Sequence, residues 1–504
     1  MGKNKHAGLW GLLLSVLCWS GTALAEVVVD DLSGLGQGTV GIKTPFTADV
    51  FGTKPVAETV IQHLNAVQSL PLSGAERAIV RMVLMTDVGG VKSLDTAQAA
   101  YWRARADVLL TQGLFEDVLM LTDQIPPTRR TDDIRRDRAT ALFALGRYQD
   151  ACAGETPAAF GPDERWIRAV CADVAGDEAP AALAFDVYRE AGTDGHALWT
   201  AAGNRAYQRA TDPMPTGLSA TDISVWELPL AARVFGDRVL TLPLNRGQWR
   251  VLALAPDVGE TVRLTAAERA GLNRTDWERV LAVPVKNTKL TEGPVYRARL
   301  YQKAMTVPPE QRRSRVRDYV RSVSDGAALV AVAPVVLMMT GDDTAPLIRS
   351  EKALRAVWTL ADKADLLARA EAHRKVPGTA VLISLLTDQV PEPADRELAA
   401  CERDAFCRSV WNIAPAAWPV SEMDLTRIPT GSGVRDYPPA VAESVARQVR
   451  NGPVGKAVLN AVILLNRSSA LEQNLLDALA PVLPAENRRA LLTERWVKTV
   501  GQIY

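Results

Sequence analysis

Hydrophobic positions along the chain recur at helical spacing. Ala57–Val67 and Gly74–Thr86 each carry an apolar stripe at intervals of three and four, with Ser73 and Gly74 in the position of a helix start. Between 97 and 192 such stripes come in pairs separated by Gly113, Gly146 and Gly176. Further helices are predicted over 196–210, 220–236, 262–283 and 294–305, with prolines and β-branched residues in Leu240–Leu244 and Val283–Leu290 spoiling regular pairing. Ala327–Met339 is apolar, broken by Pro334 and too short to cross a bilayer, and reads as a buried central helix. Ile348–Ala361 and Lys363–His373 read as a further hairpin, and Val376–Leu386 starts another. The prolines and glycines crowded into 414–439 exclude a helix there and mark a loop or hinge. Ala440–Arg450, Val454–Leu465, Ala470–Ala480 and Glu486–Thr499 then form four amphipathic helices. The pattern predicts an all-α fold, an α-solenoid of helical hairpins with a Gly-rich extended N-terminal arm.

Two stretches repeat. Ala106, Leu109, Leu110, Gly113, Phe115, Asp117 and Val118 overlay Ala139, Leu142, Phe143, Gly146, Tyr148, Asp150 and Ala151, every pair 33 residues apart. In each copy, small and apolar residues at helical spacing precede a glycine, an aromatic and a second apolar helix. This resembles the tetratricopeptide repeat, over roughly 97–191. The resemblance implies that Ala106, Leu110, Gly113, Phe115, Ala139, Phe143, Gly146 and Tyr148 pack the hairpins. A looser third copy places Gly176 and Ala181 30 residues after Gly146 and Ala151.

The N-terminus reads as an export signal. Lys3 and Lys5 precede the apolar run Leu9–Trp19, and Ala23-Leu24-Ala25 offers small residues for cleavage after Ala25. The run is too short for a retained anchor, and Ser15-Val16-Leu17 lacks the small residue expected before a lipidated Cys18. Residues 26–56, rich in glycine, form the arm; Gly34-Leu35-Gly36-Gln37-Gly38 lacks the strand–loop–helix context of a dinucleotide fingerprint. The remaining segments are 57–192 (repeats), 193–413 (irregular hairpins), 414–439 (Pro/Gly-rich loop) and 440–504 (C-terminal hairpins).

Composition and charge narrow the classes. Removing residues 1–25 leaves 56 basic against 58 acidic side chains, so no broad positive field for nucleic acid is implied. Four cysteines remain in a chain bound for an oxidising compartment. Cys152, in the second helix of repeat two, and Cys171, in the first helix of repeat three, suit a disulfide. Cys401 and Cys407 can pair only if the helix breaks between them, because six helical residues rise about 9 Å. No histidine lies near either pair, and the spacing fits no common zinc module.

Candidate chemistry is sparse. His63, His196 and His373 are scattered, and neither a metal-binding pair nor a triad motif is recognisable. Gly-Ser-Gly at 431–433 lacks the extra residues of a nucleophile elbow, and Asp342-Asp343 reads as a polar helix stop. Trp199, Trp226, Trp249 and Trp277 read as core rather than as a glycan platform. Arg103 and Arg105 read as a solvated face. Arg129, Arg130, Arg135, Arg136 and Arg138 are offset by Asp132, Asp133 and Asp137. The strongest basic run, Arg312, Arg313, Arg315 and Arg317, is the candidate partner-binding site. No catalytic, cofactor or metal residue is assigned.

Four features together resemble predicted periplasmic helical-repeat proteins of Gram-negative bacteria. They are Thr44-Pro45 with Asp49–Thr53, Leu145–Tyr148 before a cysteine, the second cysteine in the next helix, and Gly455–Leu459. The resemblance implies no activity. The expected function is that of a non-catalytic periplasmic scaffold or adaptor, binding another cell-envelope protein through a repeat surface such as a concave groove, without a transmembrane segment after signal cleavage. The alternative is a peptidoglycan-acting enzyme on an α-superhelical frame.

Overall fold

The protein's structure, a computed structural model, describes residues 40–340 with breaks at 43, 53, 90, 96, 154–155, 162–163, 193–194, 309–310 and 324–330. Beyond these it describes 434–435, 439–467 and scattered positions from 471 to 491. The expected export segment, Cys18, the arm before residue 40, Asp342-Asp343, the helices expected over 348–386, His373, Cys401, Cys407 and most of 414–439 lie outside the described residues.

The first predicted pair appears as α1 (Ala57–Gln68) and α2 (Gly74–Met85). Ser73 Oγ accepts the Glu76 N–H at 3.2 Å and Glu76 Oε2 accepts the Ser73 N–H at 2.8 Å, so two donors of the helix start are satisfied reciprocally. The short α3 (Lys92–Asp95) leads to a hairpin of α4 (Gln98–Thr111) and α5 (Phe115–Asp123). A second follows with α6 (Asp132–Ala144) and α7 (Tyr148–Cys152), then the one-turn α8 (Thr156–Ala159). A third comprises α9 (Glu164–Val174) and α10 (Glu178–Glu190).

The first two hairpin turns have one design. Gly113 and Gly146 hold φ of +73° and +75°, left-handed values that disfavour a side chain. Their N–H groups donate to Leu110 O at 3.0 Å and Phe143 O at 2.9 Å, and the next N–H groups, of Leu114 and Arg147, reach back to Leu109 O and Leu142 O. These bonds satisfy carbonyls at the helix ends and turn the chain back. Phe115, Phe143, Ala106 and Ala139 are buried, while Leu110 and Tyr148 are half-buried. Tyr148 rests on Phe143 with ring centroids 4.9 Å apart.

Cys152 and Cys171 are bonded, joining α7 to α9 across a Cα separation of 5.7 Å. The bond spans 19 residues, for which the chain-entropy argument gives up to about 3 kcal/mol. The C152A/C171A variant is expected to unfold at lower urea than the oxidised protein and to show no response to dithiothreitol. An equal midpoint for both proteins would mean that the bridge contributes nothing.

The chain continues through α11 (Ala197–Ala206), α12 (Leu228–Phe235), α13 (Arg246–Leu254), α14 (Glu260–Ala270), α15 (Arg274–Ala282) and α16 (Gly293–Met305). It then forms α17 (Arg313–Arg321), α18 (Ala333–Thr340), α19 (Pro439–Asn451) and α20 (Val454–Arg467). The described fold is all-α. Among the described residues, strand pairing is confined to Val434–Arg435 beside Leu471–Glu472 and one bridge between Ile42 and Thr86. No described helix is long and apolar enough to cross a membrane. Pro334 falls in the first turn of α18, where a missing N–H costs little, and most of that helix is buried as expected.

Several expectations fail for local reasons. The single helix over 262–283 is two: Gly271 ends α14 at φ +58°, and Asn273 Oδ1 caps α15 by accepting the Asp276 N–H at 2.9 Å. The described part of the arm over 40–52 joins the core. Val40, Val50 and Phe51 are buried, and a Cβ at Gly41 would lie 2.2 Å from the Asp87 nitrogen. Arg105 is not on a solvated face: it is 0% exposed and donates to Leu84 O and Val40 O. Its α4 is packed on both sides, by α1 on one hand and by α5 and α6 on the other, so position along the stripe did not reveal burial.

The hairpins do not run on in a simple line. Helix α20 returns to pack on α1 and α2, and Asn466 Nδ2 donates to Pro71 O at 3.4 Å. Helix α13, which periodicity missed, packs on α4 and α6. Its start was nevertheless legible, because Asn245 and Gln248 form a capping box with bonds of 2.8 and 2.9 Å.

Candidate functional site

The basic run over 312–317 does not assemble into one clamp. Arg312 is spent internally, its Nε donating to Val307 O at 2.9 Å and its Nη1 to Met339 O at 3.4 Å. Arg315 is half-buried, and Arg317 is exposed beside Asp318 at 3.8 Å. The side chain of Arg313 lies outside the described residues. Val316, Tyr319 and Val320 anchor α17 in the core and leave Arg317 and Arg321 outward at helical spacing.

Three arginines of the 129–138 cluster are likewise bonded to neighbouring segments of the chain. Arg130 Nε donates to Ile125 O at 2.9 Å, Arg138 pairs with Asp123 at 2.6 Å, and Arg136 Nη2 donates to Ala159 O at 3.1 Å. The tryptophans are core: Trp199, Trp226, Trp249 and Trp277 are all buried. Trp226 stacks on Phe143 with centroids 4.3 Å apart and meets Phe160 edge-on at 5.6 Å.

Among the perturbed acidic side chains, two lie against aromatic or imidazole rings. Asp137 accepts the Trp102 Nε1–H at 2.7 Å, and burial, with Asp107 and Asp133 nearby, pushes its carboxyl up to about 7. Glu227 is 0% exposed and burial raises its pKa, while His196, whose Nδ1 is 2.8 Å away, opposes the shift. The His196 ring lies flat on Trp166 at 3.8 Å. The enclosure of Glu227 makes this pair a packed joint between α9, α11 and α12. Among the described residues, no group of three or more His, Cys, Asp or Glu side chains could hold a metal ion.

Helix α13 covers part of the first two hairpins. The face formed by the first helices α4 and α6 is covered, because Gly247 lies against Leu110 and Arg250 donates to Gly113 O at 2.6 Å. At these two hairpins the first helices thus pack against a later part of the chain itself. On the second helices only part of the apolar surface stays open, since most of α5 is buried. Leu183 and Val187 on α10 are 67% and 46% exposed one turn apart, and Met120 on α5 is 40% exposed. Phe185 and Tyr188 face inward from the same α10 and fix which side is presented.

Neither periodicity nor composition identified this surface. Leu183 and Val187 belong to an apolar pattern that reads as core, and only the position of neighbouring helices leaves them uncovered. Comparison of the chain with protein-family models, with curated proteins and with solved structures gives no match.

Proposed function

We propose that the protein is an exported, non-catalytic scaffold that binds another cell-envelope protein through the second-helix surface of its tetratricopeptide-like hairpins. The observation carrying this reading is the exposed pair Leu183 and Val187 on a helix whose opposite side is locked into the core. Such a pair presents apolar area on a rigid element, so little conformational entropy is lost when a partner covers it. The matched turns at Gly113 and Gly146 support the repeat reading, and the paired cysteines suit an oxidising compartment. Near-balanced charge favours a protein over a nucleic acid as partner.

The test is crosslinking followed by purification from envelope extracts. The wild-type chain should recover a reproducible protein partner, and L183E/V187E should lose it while its unfolding midpoint changes by less than about 1 kcal/mol equivalent. Equal recovery by both proteins, or no reproducible partner for the wild type, rejects the proposal.

A further inference from the structure

Two sequence stretches with no local explanation, Asp49–Gly52 and Gly455–Leu459, are brought together in space. The turn closed by Val50 N–H on Thr47 O at 2.9 Å seats against the first turn of α20, where the Gly455 N–H donates to Val50 O at 2.6 Å. A Cβ on Gly455 would lie 2.8 Å from Val50 Cγ2 and 3.0 Å from Val50 O, so a side chain there would crowd the approach. Beside this junction α1 completes a cleft of ≈ 510 Å³. That size lies within the range of small-ligand sites.

The lining has two characters. Phe51, Pro55, Val56 and Leu459 give an apolar side, and Val56 is left 65% exposed at it. Lys54, Lys456 and His63 give a cationic and hydrogen-bonding side. Among the described residues, neither lysine has an ion-pair partner. Lys456 is half-buried, which raises the value of an anion that could approach it. Asp49 is the cleft's carboxylate, and Thr47 Oγ1 already donates to it. His63 Nδ1 lies 2.6 Å from Thr59 O. A carbonyl can only accept, so Nδ1 carries a proton, and Nε2 is the ring nitrogen left to accept a hydrogen bond when it carries none.

Two ammonium groups, one imidazole acceptor and an apolar side match the end of a peptide chain. The carboxylate would meet the lysines, the last amide N–H would meet His63, and the last side chain would lie on Val56, the exposed apolar residue of the lining. We propose that this cleft captures the free carboxyl terminus of a peptide whose last residue is apolar. The site shares no residue with the second-helix surface, so either proposal can fail without the other.

The test is fluorescence anisotropy on the full chain with N-terminally labelled Ala-Ala-Leu as the free acid and as the C-terminal amide. The acid should bind saturably, and the amide at least tenfold more weakly. K54Q, at an exposed position, should weaken the acid at least threefold and K54Q/K456Q at least tenfold, with circular-dichroism melts unchanged. Unlabelled Ala-Ala-Leu should compete, and inorganic phosphate at the same concentration should not. No binding at 1 mM peptide, equal binding of acid and amide, or equal displacement by phosphate would overturn the assignment.

Discussion

Replacing Arg250 by methionine is expected to destabilise the protein by about 3–5 kcal/mol, the scale for breaking a buried ion pair from one side. Arg250 is 6% exposed and joins three parts of the chain. Its Nε donates to Asp276 at 2.8 Å, and its Nη1 donates to Gly113 O at 2.6 Å and to Glu116 at 2.7 Å. The guanidinium also lies 5.4 Å from the centre of the Phe115 ring. Methionine keeps much of the stem's packing but leaves Asp276, itself 4% exposed, without its counter-charge. The loss therefore comes mainly from a stranded carboxylate. R250M/D276L should recover more than half of it, since an apolar pair of similar volume removes that charge. Urea unfolding at neutral pH, followed by circular dichroism, measures both; an R250M midpoint within about 1 kcal/mol of wild type would refute the argument.

Substituting Gly247 by alanine is expected to cost at least about 3 kcal/mol, because the obstacle is backbone. The added Cβ would stand 2.1 Å from Leu110 O and 3.3 Å from Phe115 Cζ. Leu110 O cannot retreat freely, since it accepts the Gly113 N–H that ends α4. The strain must separate α13 from α4 or open the Gly113 turn. G259A is the control: nothing lies within 4 Å of that position, and its φ of −55° suits alanine, so the change should stay within about 1 kcal/mol. Native-state hydrogen exchange on G247A should show the largest increase in α13 and at the end of α4. A G247A protein as stable as G259A would show that the two helices are not in this contact.

The two substitutions meet at one junction and should not be additive. Gly247 sets how closely α13 approaches the first hairpin, and Arg250, less than one turn later, bonds across that approach. R250M in the G247A background is expected to cost less than in wild type, because the strained helix has already weakened the bonds that Arg250 makes.

Much of the architecture follows from local sequence. The 3.6-residue stripes placed α1, α2, α16, α19 and α20 within one or two residues of their ends. Gly113 and Gly146 marked turns that only a residue free to adopt positive φ makes at low cost. Cys152 and Cys171 were legible as a pair because antiparallel neighbouring helices bring such positions into bridging range. These features depend on bonds and contacts within about 30 residues, so the order of residue types carries them.

What the linear order could not decide was which faces meet. Arg105 and Leu183 are the clearest cases: a charged residue became core and an apolar one became surface. A side chain's burial is set by whichever helix arrives from elsewhere, and α13 reaches α4 from some 140 residues downstream, measured as 137 between Arg250 and Gly113. The cleft beside α1 likewise needs Val50 and Gly455 in contact, two residues that share no period or local motif. Sequence alone therefore determined many of the helices and the glycine turns between them, while tertiary packing decided which surfaces remain open, because burial depends on the sum of distant neighbours.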